Sequence, residues 1–274
     1  RRFLVHPWFA LRWLLAAWAL VSACAALASS GSPNAPVDRT LDVAHASAAP
    51  LPLTPWFDVL EDPSGTLSFD QVRSSAMATR FAPSDRSGAA FNFGITPSAW
   101  WLRLRLANPS DAALDRLLEV AYARLSHLDF YAEQSDGTWH EVHTGTTQPF
   151  DSRGYAHRNF VFNVALPPHA EQTLYLRMAS TTAFVVPTRL WEPAAFHAFE
   201  RSDYAAQAWY FGMVSAMVLF NLLLFVRLKD WLYLQYVAFA LSVAFAMGAQ
   251  NGLVKEVFRL ESPLWSDLCT SFGY

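Results

Sequence analysis

Alternation of apolar and polar residues predicts short β-strands throughout residues 54–198. In the stretch 100–106 the even-numbered residues are apolar, while Trp101, Arg103 and Arg105 point to the opposite face. The same alternation predicts further strands at residues 127–131, 138–142, 160–166, 174–178 and 184–186. Several short strands with turns between them and no long helix favour a mainly β domain built as a β-sandwich.

Turn and cap residues mark the ends of these elements. The stretch 108–110 (Asn-Pro-Ser) ends one strand, and 135–137 (Ser-Asp-Gly) predicts a hairpin connection. Pro187 marks an edge strand or a bulge, because proline cannot donate a hydrogen bond to a ladder. One short helix is expected directly after Ser68, since Ser68 and Gln71 have the spacing of a capping box.

The apolar pattern then changes to two uncharged segments, residues 204–226 and 231–249, each long enough to cross a bilayer as a helix. Arg227 and Lys229 lie in the short connection between them. The positive-inside rule therefore places this connection in the cytoplasm and residues 29–203 outside. Residues 250–274 are predicted as an outer loop and the possible start of a third helix.

The first residues have the pattern of an export signal. Residues 1–28 combine a positive start, a short apolar run and small residues, as in a secretory signal peptide. Cleavage after 26–28 (Ala-Leu-Ala), a lipobox ending at Cys24 and an uncleaved anchor are the three alternatives, and all of them export the β-domain. Residues 29–53 are rich in Ser, Ala and Pro and are predicted as a disordered linker.

Composition excludes some classes of function. The net charge of −3 shows no basic footprint for nucleic acid. Cys24 and Cys269 both lie outside the predicted β-domain, so no disulfide is expected in it. His140 and His143 are three apart on a predicted strand and point to opposite faces, so no metal site is expected. Nucleophile, phosphate-loop and dinucleotide motifs do not occur, which predicts a non-enzymatic chain without cofactors.

Several motifs together resemble a known family, the bacterial seven-transmembrane receptors with diverse intracellular signalling modules. In the β-domain they are residues 56–58, 100–103, 108–110, 174–177 and Pro187; in the apolar part they are Gly212, Asn221, Leu222, 227–230, 233–236 and Gly252. The resemblance implies a jelly-roll-like β-sandwich sensor followed by the start of a seven-helix bundle. Two of seven helices are complete here, so we expect a longer parent chain that ends in an output module.

The resemblance implies the sensory input portion of a bacterial inner-membrane signal-transduction receptor, with its N-terminal domain in the periplasm. Its partners would be the lipid bilayer, a periplasmic ligand that could be a carbohydrate, a downstream cytoplasmic module and, as an option, a second copy in a homodimer. One alternative is a membrane-anchored carbohydrate-binding or adhesion module. Another is the N-terminal part of a truncated diguanylate cyclase or histidine kinase.

Candidate site residues fall into two groups. Aromatic side chains can stack on sugar faces while arginines donate directional hydrogen bonds, and loops on a rigid sandwich often carry binding. The loop 146–158 is therefore the expected ligand site, although core packing is the simpler alternative for any one residue. The candidate ligand-binding residues are Trp101, Arg103, Trp139, Arg153, Tyr155 and Arg158. The candidates for membrane helix packing and signalling are Gly212, Ala216, Asn221 and Gln235.

Overall fold

The computed structural model describes residues 39–44, 49–84, 88, 90–180 and 184–258. The predicted signal peptide with Cys24, the first part of the predicted linker and the possible third helix lie outside these residues. Within them, a mainly β region is followed by two long apolar helices, as the sequence predicts.

Seven strands form the larger sheet. They are β1 (Thr40–Asp42), β3 (Asp58–Asp62), β4 (Ala82–Pro83), β6 (Ala99–Asn108), β8 (His127–Glu133), β9 (Trp139–Thr144) and β11 (Ala170–Ala179). Their order is β4-β3-β6-β11-β8-β9, and β1 pairs with β6 as the one parallel neighbour among the described strands. The long antiparallel pair β6–β11 sets the register, with Leu104 opposite Leu174 and Arg103 opposite Tyr175.

Five strands form the second sheet. They are β2 (Leu51–Pro52), β5 (Ala90–Gly94), β7 (Leu114–Val120), β10 (Phe160–Leu166) and β12 (Phe184–Trp191). Their order is β10-β7-β12-β2, with β5 also paired to β12. Pro187 lies where β12 changes its partner from β5 to β7, and a register shift occurs nearby between Phe184 and Val185. The register shift thus lies two residues before the predicted position, and Pro187 itself is where the partner strand changes.

One hydrophobic core is shared by the two sheets. Leu102, Leu104 and Leu106 of β6 are fully buried in it, which confirms the face predicted from the alternation in 100–106. Across the interface, the rings of Phe130 in β8 and Phe162 in β10 stack with their centroids 4.3 Å apart. Burial of these side chains is the main source of stability.

The prediction of a disordered linker over residues 29–53 is wrong for its described second half. Leu41 and Val43 are buried, and the Val43 amide donates to the Ala107 carbonyl at 3.0 Å. Leu53 is buried beside β12, where its amide donates to the Thr188 carbonyl at 2.9 Å. The prediction failed because it used the average composition of the segment, whereas its few apolar residues are individually buried in the core.

The outer face of the larger sheet is covered by residues 67–81, which carry helices α1 (Phe69–Val72) and α2 (Ser75–Ala78). The predicted capping box is confirmed, because Ser68 Oγ accepts from the Gln71 amide and Gln71 Oε1 accepts from the Ser68 amide. Phe69 stacks on Tyr131 with a centroid distance of 4.0 Å. These contacts turn the second face of the sheet into a smaller aromatic core.

Three helices complete the described chain: α3 (Pro193–Leu228), α4 (Trp231–Gln250) and α5 (Leu253–Phe258). By length and composition α3 and α4 are able to cross a membrane. The first begins at residue 193 and not at residue 204 as predicted, because Pro193 occupies its first turn and the charged residues after it are compatible with helix. Lys229 in the left-handed conformation ends α3, and Asp230 caps α4, with its Oδ1 accepting from the Leu232 amide at 2.9 Å.

Gly145, in the connection after β9, is expected to tolerate no side chain. Its φ is +146°, and a Cβ there would meet the main chain of Ser126. Gly145→Ala should therefore lower the free energy of unfolding by more than about 2 kcal/mol. Gly154→Ala is the matched control, because no atom lies within 4 Å of its Cβ position, and we expect a change of less than about 1 kcal/mol. Equal effects of the two substitutions in urea unfolding would contradict this account.

Candidate functional site

The last strand of the β-domain runs directly into the first long helix. Glu192 alone separates β12 from α3. Trp191 at the end of β12 and Phe196 in the first turns of α3 are buried together against the outer face of the smaller sheet, through Leu117 and Val161. The start of α3 therefore belongs to the folded β-domain and cannot move independently of it.

Glu119 anchors this connection from inside the sheet. Its side chain is fully buried in β7. One carboxylate oxygen accepts from the Trp191 indole N–H at 2.8 Å, and the other accepts from the Asn159 amide group at 2.8 Å. Arg189 lies 3.6 Å away as an ionic neighbour. A buried carboxylate with two donors and a cation fixes the direction in which β12 enters the helix.

Residues 145–159, which we name the junction loop, fill the space between the β-domain and the helices. Arg158 Nη2 donates to Asp203 Oδ2 of α3 at 2.6 Å, and both side chains are largely buried. Arg158 Nη1 also lies 3.5 Å from the carbonyl oxygen of Asn251, between α4 and α5. One arginine of the loop thus contacts α3 directly and the main chain just after α4.

Arg153 lies deeper in the junction loop and is 4 % exposed. Its Nη1 donates to the carbonyl oxygens of His157 and Arg158, and its guanidinium lies over the rings of Phe150 and Phe160. Burial lowers the pKa of Arg153 to about 10, against the opposing attraction of Glu256. Arg153 therefore supports the loop from within and presents no group to solvent.

His157 and Tyr155 pack against α3. The His157 ring is 1 % exposed and meets Phe196 and Tyr204 edge to face. Burial, together with the positive charges of Arg158 and Arg153, lowers its pKa to about 4. Its Nδ1 accepts from the Asn159 amide, which requires the neutral ring to carry its proton on Nε2.

Tyr155 is half-buried and its hydroxyl lies 3.2 Å from His197 Nδ1 and 3.5 Å from Glu200 Oε2, both on α3. Burial and the nearby Glu200 carboxylate raise the pKa of the tyrosine hydroxyl. Tyr155 and His197 also border a groove of about 370 Å³ on the outer face of the smaller sheet. Tyr155, the third candidate ligand residue of the junction loop, is thus partly exposed and borders a cavity.

The turn between α4 and α5 touches the β-domain as well. Gly252 has φ +76°, and a Cβ there would come within 2.7 Å of the Ala123 side chain. Lys255 Nζ donates to three carbonyls of the junction loop, and Glu256 Oε1 accepts from the Tyr204 hydroxyl at 2.6 Å. Both long helices are therefore attached to the β-domain, one through the chain and the other through side chains.

The remaining predicted ligand residues lie on strands of the larger sheet, outside the junction loop. Trp101 is 1 % exposed within the smaller aromatic core, so its ring presents no open face. Arg103 donates to Asp58 at 2.8 Å and lies over the Phe81 ring, where its donors serve the fold. Trp139 is partly exposed and borders an open groove of about 440 Å³.

This groove combines aromatic and polar side chains. Trp139 and Tyr175 form one side, with Thr173 and Glu133 next to them, and Asp70 and Arg73 of α1 and its end form the other. The structure thus separates the six predicted residues into three settings: a buried core, an open groove and the junction loop. None of these settings by itself demonstrates binding, and the ligand-binding assignment stays a prediction.

The predicted packing residues of the membrane helices are exposed or half-buried in the described structure. Gly212 and Ala216 face outward with no atom within 4 Å of the Gly212 Cβ position, and Gln235 is exposed. Asn221 Nδ2 donates to the Met217 carbonyl of its own helix at 2.8 Å. The contact between α3 and α4 uses Gly248, whose Cβ position lies 3.6 Å from the Phe211 ring.

Sequence reasoning missed Lys255, Glu256, Asp203 and His157 as parts of the junction. A signal was present for the first two, since they are adjacent opposite charges directly after a long apolar segment. No pattern in the sequence predicts the burial of His157, because this burial depends on how the junction loop packs against α3. Within the ranges that the structure describes, no group of three or more metal-binding side chains comes together.

Comparison with known protein families gives two matches. Residues 54–192 match the family model described as 7TMR-DISM extracellular 2. Residues 203–274 match the family model described as 7TM diverse intracellular signalling. No curated protein matches the chain. The boundary between the two matches, residues 193–202, coincides with the part of α3 that packs against the junction loop.

The ion pair between Arg158 and Asp203 is expected to stabilise the junction. Removing one partner of a largely buried pair leaves the other without compensation, so Arg158→Met or Asp203→Asn should each cost about 3 kcal/mol. The double variant should cost less than the sum, with a coupling energy of about 1–3 kcal/mol. Urea unfolding followed by tryptophan fluorescence measures all four corners of the cycle. Additive losses would show that the two groups act independently.

His157 is expected to make the fold sensitive to mild acid. Its folded pKa of about 4 lies below the ordinary value of 6.5, so the unfolded chain binds the proton more readily between these pH values. The stability is present above about pH 6.5 and falls as the pH decreases to about 4, by roughly 3 kcal/mol. His157→Asn keeps an acceptor for the Asn159 amide and should remove this part of the pH dependence. Parallel pH profiles for both proteins would overturn the assignment.

Proposed function

We propose that this chain, which belongs to the 7TMR-DISM receptor family, is the sensory input and first transmission step of a receptor in the bacterial inner membrane. The two matches indicate a seven-transmembrane receptor with an extracellular sensing domain and intracellular signalling. The observation that carries the proposal is the junction loop, which contacts α3 through Arg158 and the start of α5 through Lys255. A displacement of the β-domain would therefore act on α3 directly and on α4 through the segment that follows it.

Charge and the geometry of the helix hairpin support a periplasmic orientation of the β-domain. Arg227 and Lys229 mark the end of the hairpin that points away from the β-domain. The opposite end carries Asn251 and Lys255, which touch the β-domain directly. Cytoplasmic placement of the basic connection puts the β-domain in the periplasm. The docked end of the hairpin supports this arrangement, since both contacts then lie on the periplasmic side.

A carbohydrate-like ligand is the proposed input. The groove beside Trp139 has a partly exposed indole and polar side chains at its rim, while the Tyr175 ring next to it is buried against Phe69 and Trp139. Aromatic rings stack on the apolar faces of sugars, and a few placed polar groups select among them. Two sheets around one core are also the arrangement from which carbohydrate-binding jelly rolls are built. These features support Trp139 over the buried Trp101 as the stacking residue.

A simple anchor is the competing proposal, and a specific observation counts against it. An adhesion or carbohydrate-binding module needs one helix to hold it at the membrane. Here the segment after the second helix is docked on the β-domain by Gly252 and Lys255. We propose that this part of the receptor catalyses no reaction itself. In a cyclase or kinase parent, the reaction would belong to a separate output domain beyond the membrane helices.

The proposal predicts a ligand response that reaches the junction. The chain in lipid nanodiscs is screened by thermal shift against mono- and disaccharides and cell-wall fragments. A compound that binds the folded state raises the melting midpoint, with about 2.7 kcal/mol of stabilisation at a hundred times its dissociation constant. Trp139→Ala should abolish the shift, whereas a triple variant that combines Arg153→Met, Tyr155→Phe and Arg158→Met should leave the binding constant unchanged.

Hydrogen exchange then follows the best-shifting saccharide through the molecule. We expect altered exchange in residues 145–159 and 193–204, together with protection around Trp139. Protection confined to the groove would contradict transmission through the junction loop. A shift that survives Trp139→Ala but disappears in the triple variant would move the ligand site to the junction loop, as the sequence predicted.

A further inference from the structure

Helix α5 connects two separate parts of the molecule through adjacent side chains. Lys255 Nζ donates to the carbonyl oxygens of Gly145, Thr146 and Gln148, at 3.1, 2.7 and 2.6 Å. Glu256, the next residue, accepts from the Tyr204 hydroxyl of α3. The short helix thus holds the β-domain with one residue and the first long helix with the other.

The part of the loop that carries the Gly145 and Thr146 carbonyls is positioned by contacts within the β-domain. The Thr146 amide donates to the Leu125 carbonyl at 2.7 Å, and Thr147 Oγ1 donates to the Ser126 carbonyl at 2.8 Å. Gly145 adopts its positive φ directly against Ser126. None of these contacts involves α5, so the acceptors for Lys255 exist before the helix docks on them.

The chemistry of the Lys255 contact is suited to reversible docking. An ammonium group has three donors, and all three are used here. Its acceptors are neutral carbonyls, and burial with the nearby Arg153 lowers the pKa of Lys255 to about 8. A half-buried cation without a carboxylate partner regains favourable hydration when it leaves, so the docked and released states are closer in free energy than those of a buried ion pair.

The turn before α5 determines where the helix can dock. Gly252 needs its positive φ, and its Cβ position lies 2.7 Å from Ala123 and 3.3 Å from the Arg158 carbonyl oxygen. The docked position therefore depends on a close backbone approach, and a small shift of the β-domain removes the fit.

We propose that α5 is a docking element which switches between a docked and a released state and carries the movement of the β-domain to the helices that come after α4. Lys255 is its positioning residue. This inference rests on the proposed function, because it names the element through which the receptor passes its signal onward. Release of α5 also separates Glu256 from the Tyr204 hydroxyl, so α3 loses this contact with the segment after α4 in the same step.

The first experiment tests docking without any ligand. The chain in nanodiscs of phosphatidylethanolamine and phosphatidylglycerol is compared with Lys255→Met by hydrogen exchange at pH 7. We expect exchange in residues 253–258 to rise at least about tenfold, while residues 160–166 of the β-domain core change less than about twofold. Lys255→Arg keeps the charge and several donors and should return the exchange of α5 to within about threefold of the original chain.

Lys229→Met is the matched control, since it removes the same charge at the opposite end of the hairpin. It should leave the exchange of α5 unchanged. If Lys255→Met alters α5 no more than Lys229→Met does, the docking role is overturned. If it unfolds the whole chain, the core strand β10 also loses protection, and Lys255→Arg then decides: normal protection of α5 supports docking, and lost protection overturns it.

The second experiment separates this inference from the proposed function. The saccharide with the largest thermal shift is added, and exchange is read in three places: the junction loop, residues 193–204 and α5. A response in all three supports both proposals. A response in the first two with α5 unchanged overturns the docking switch and leaves the receptor function standing. No response in any of them overturns the transmission on which the inference rests.

Discussion

The structure near the membrane helices depends on how the main-chain carbonyl groups of the junction loop find hydrogen-bond donors. The loop has little regular secondary structure, and buried main-chain oxygens need donors. Lys255 serves the carbonyls of Gly145, Thr146 and Gln148, and Arg153 serves those of His157 and Arg158. Five acceptors are thus satisfied by two cationic side chains, one from the loop and one from beyond the second membrane helix. These contacts consequently hold the loop and the segment after α4 against each other.

The β-domain could be predicted well because its pattern is local. Alternation in 100–106 identifies both faces of β6, and the capping pair Ser68 and Gln71 identifies α1. The strand that begins at Trp139 also follows from neighbouring residues alone. Period-two patterning and turn chemistry act over a few residues, so they can be read from one chain. The strand around Leu41 was not predicted, because its pairing with β6 joins residues far apart in sequence.

The candidate site could be predicted only in outline. The sequence groups Arg153, Tyr155 and Arg158 in one loop-like stretch, and the structure brings them together, but against α3 in place of open solvent. Whether a loop faces water or a helix depends on tertiary packing, which composition does not encode. The partners Asp203 and Lys255 lie 45 and 110 residues away from their contacts in the loop region. Interactions of that range leave no periodic trace in the sequence.

The unbroken path from β12 into α3 has a mechanical consequence. A single helix of 36 residues carries the buried Phe196 near its start and ends at Lys229, beside the basic connection. It is about 54 Å long, so a tilt of about 4° at its base moves its far end by about 4 Å. The helix therefore has the geometry of a lever whose short arm is embedded in the β-domain. Rearrangements smaller than an atom at the base become displacements of atomic size at the opposite end of the helix.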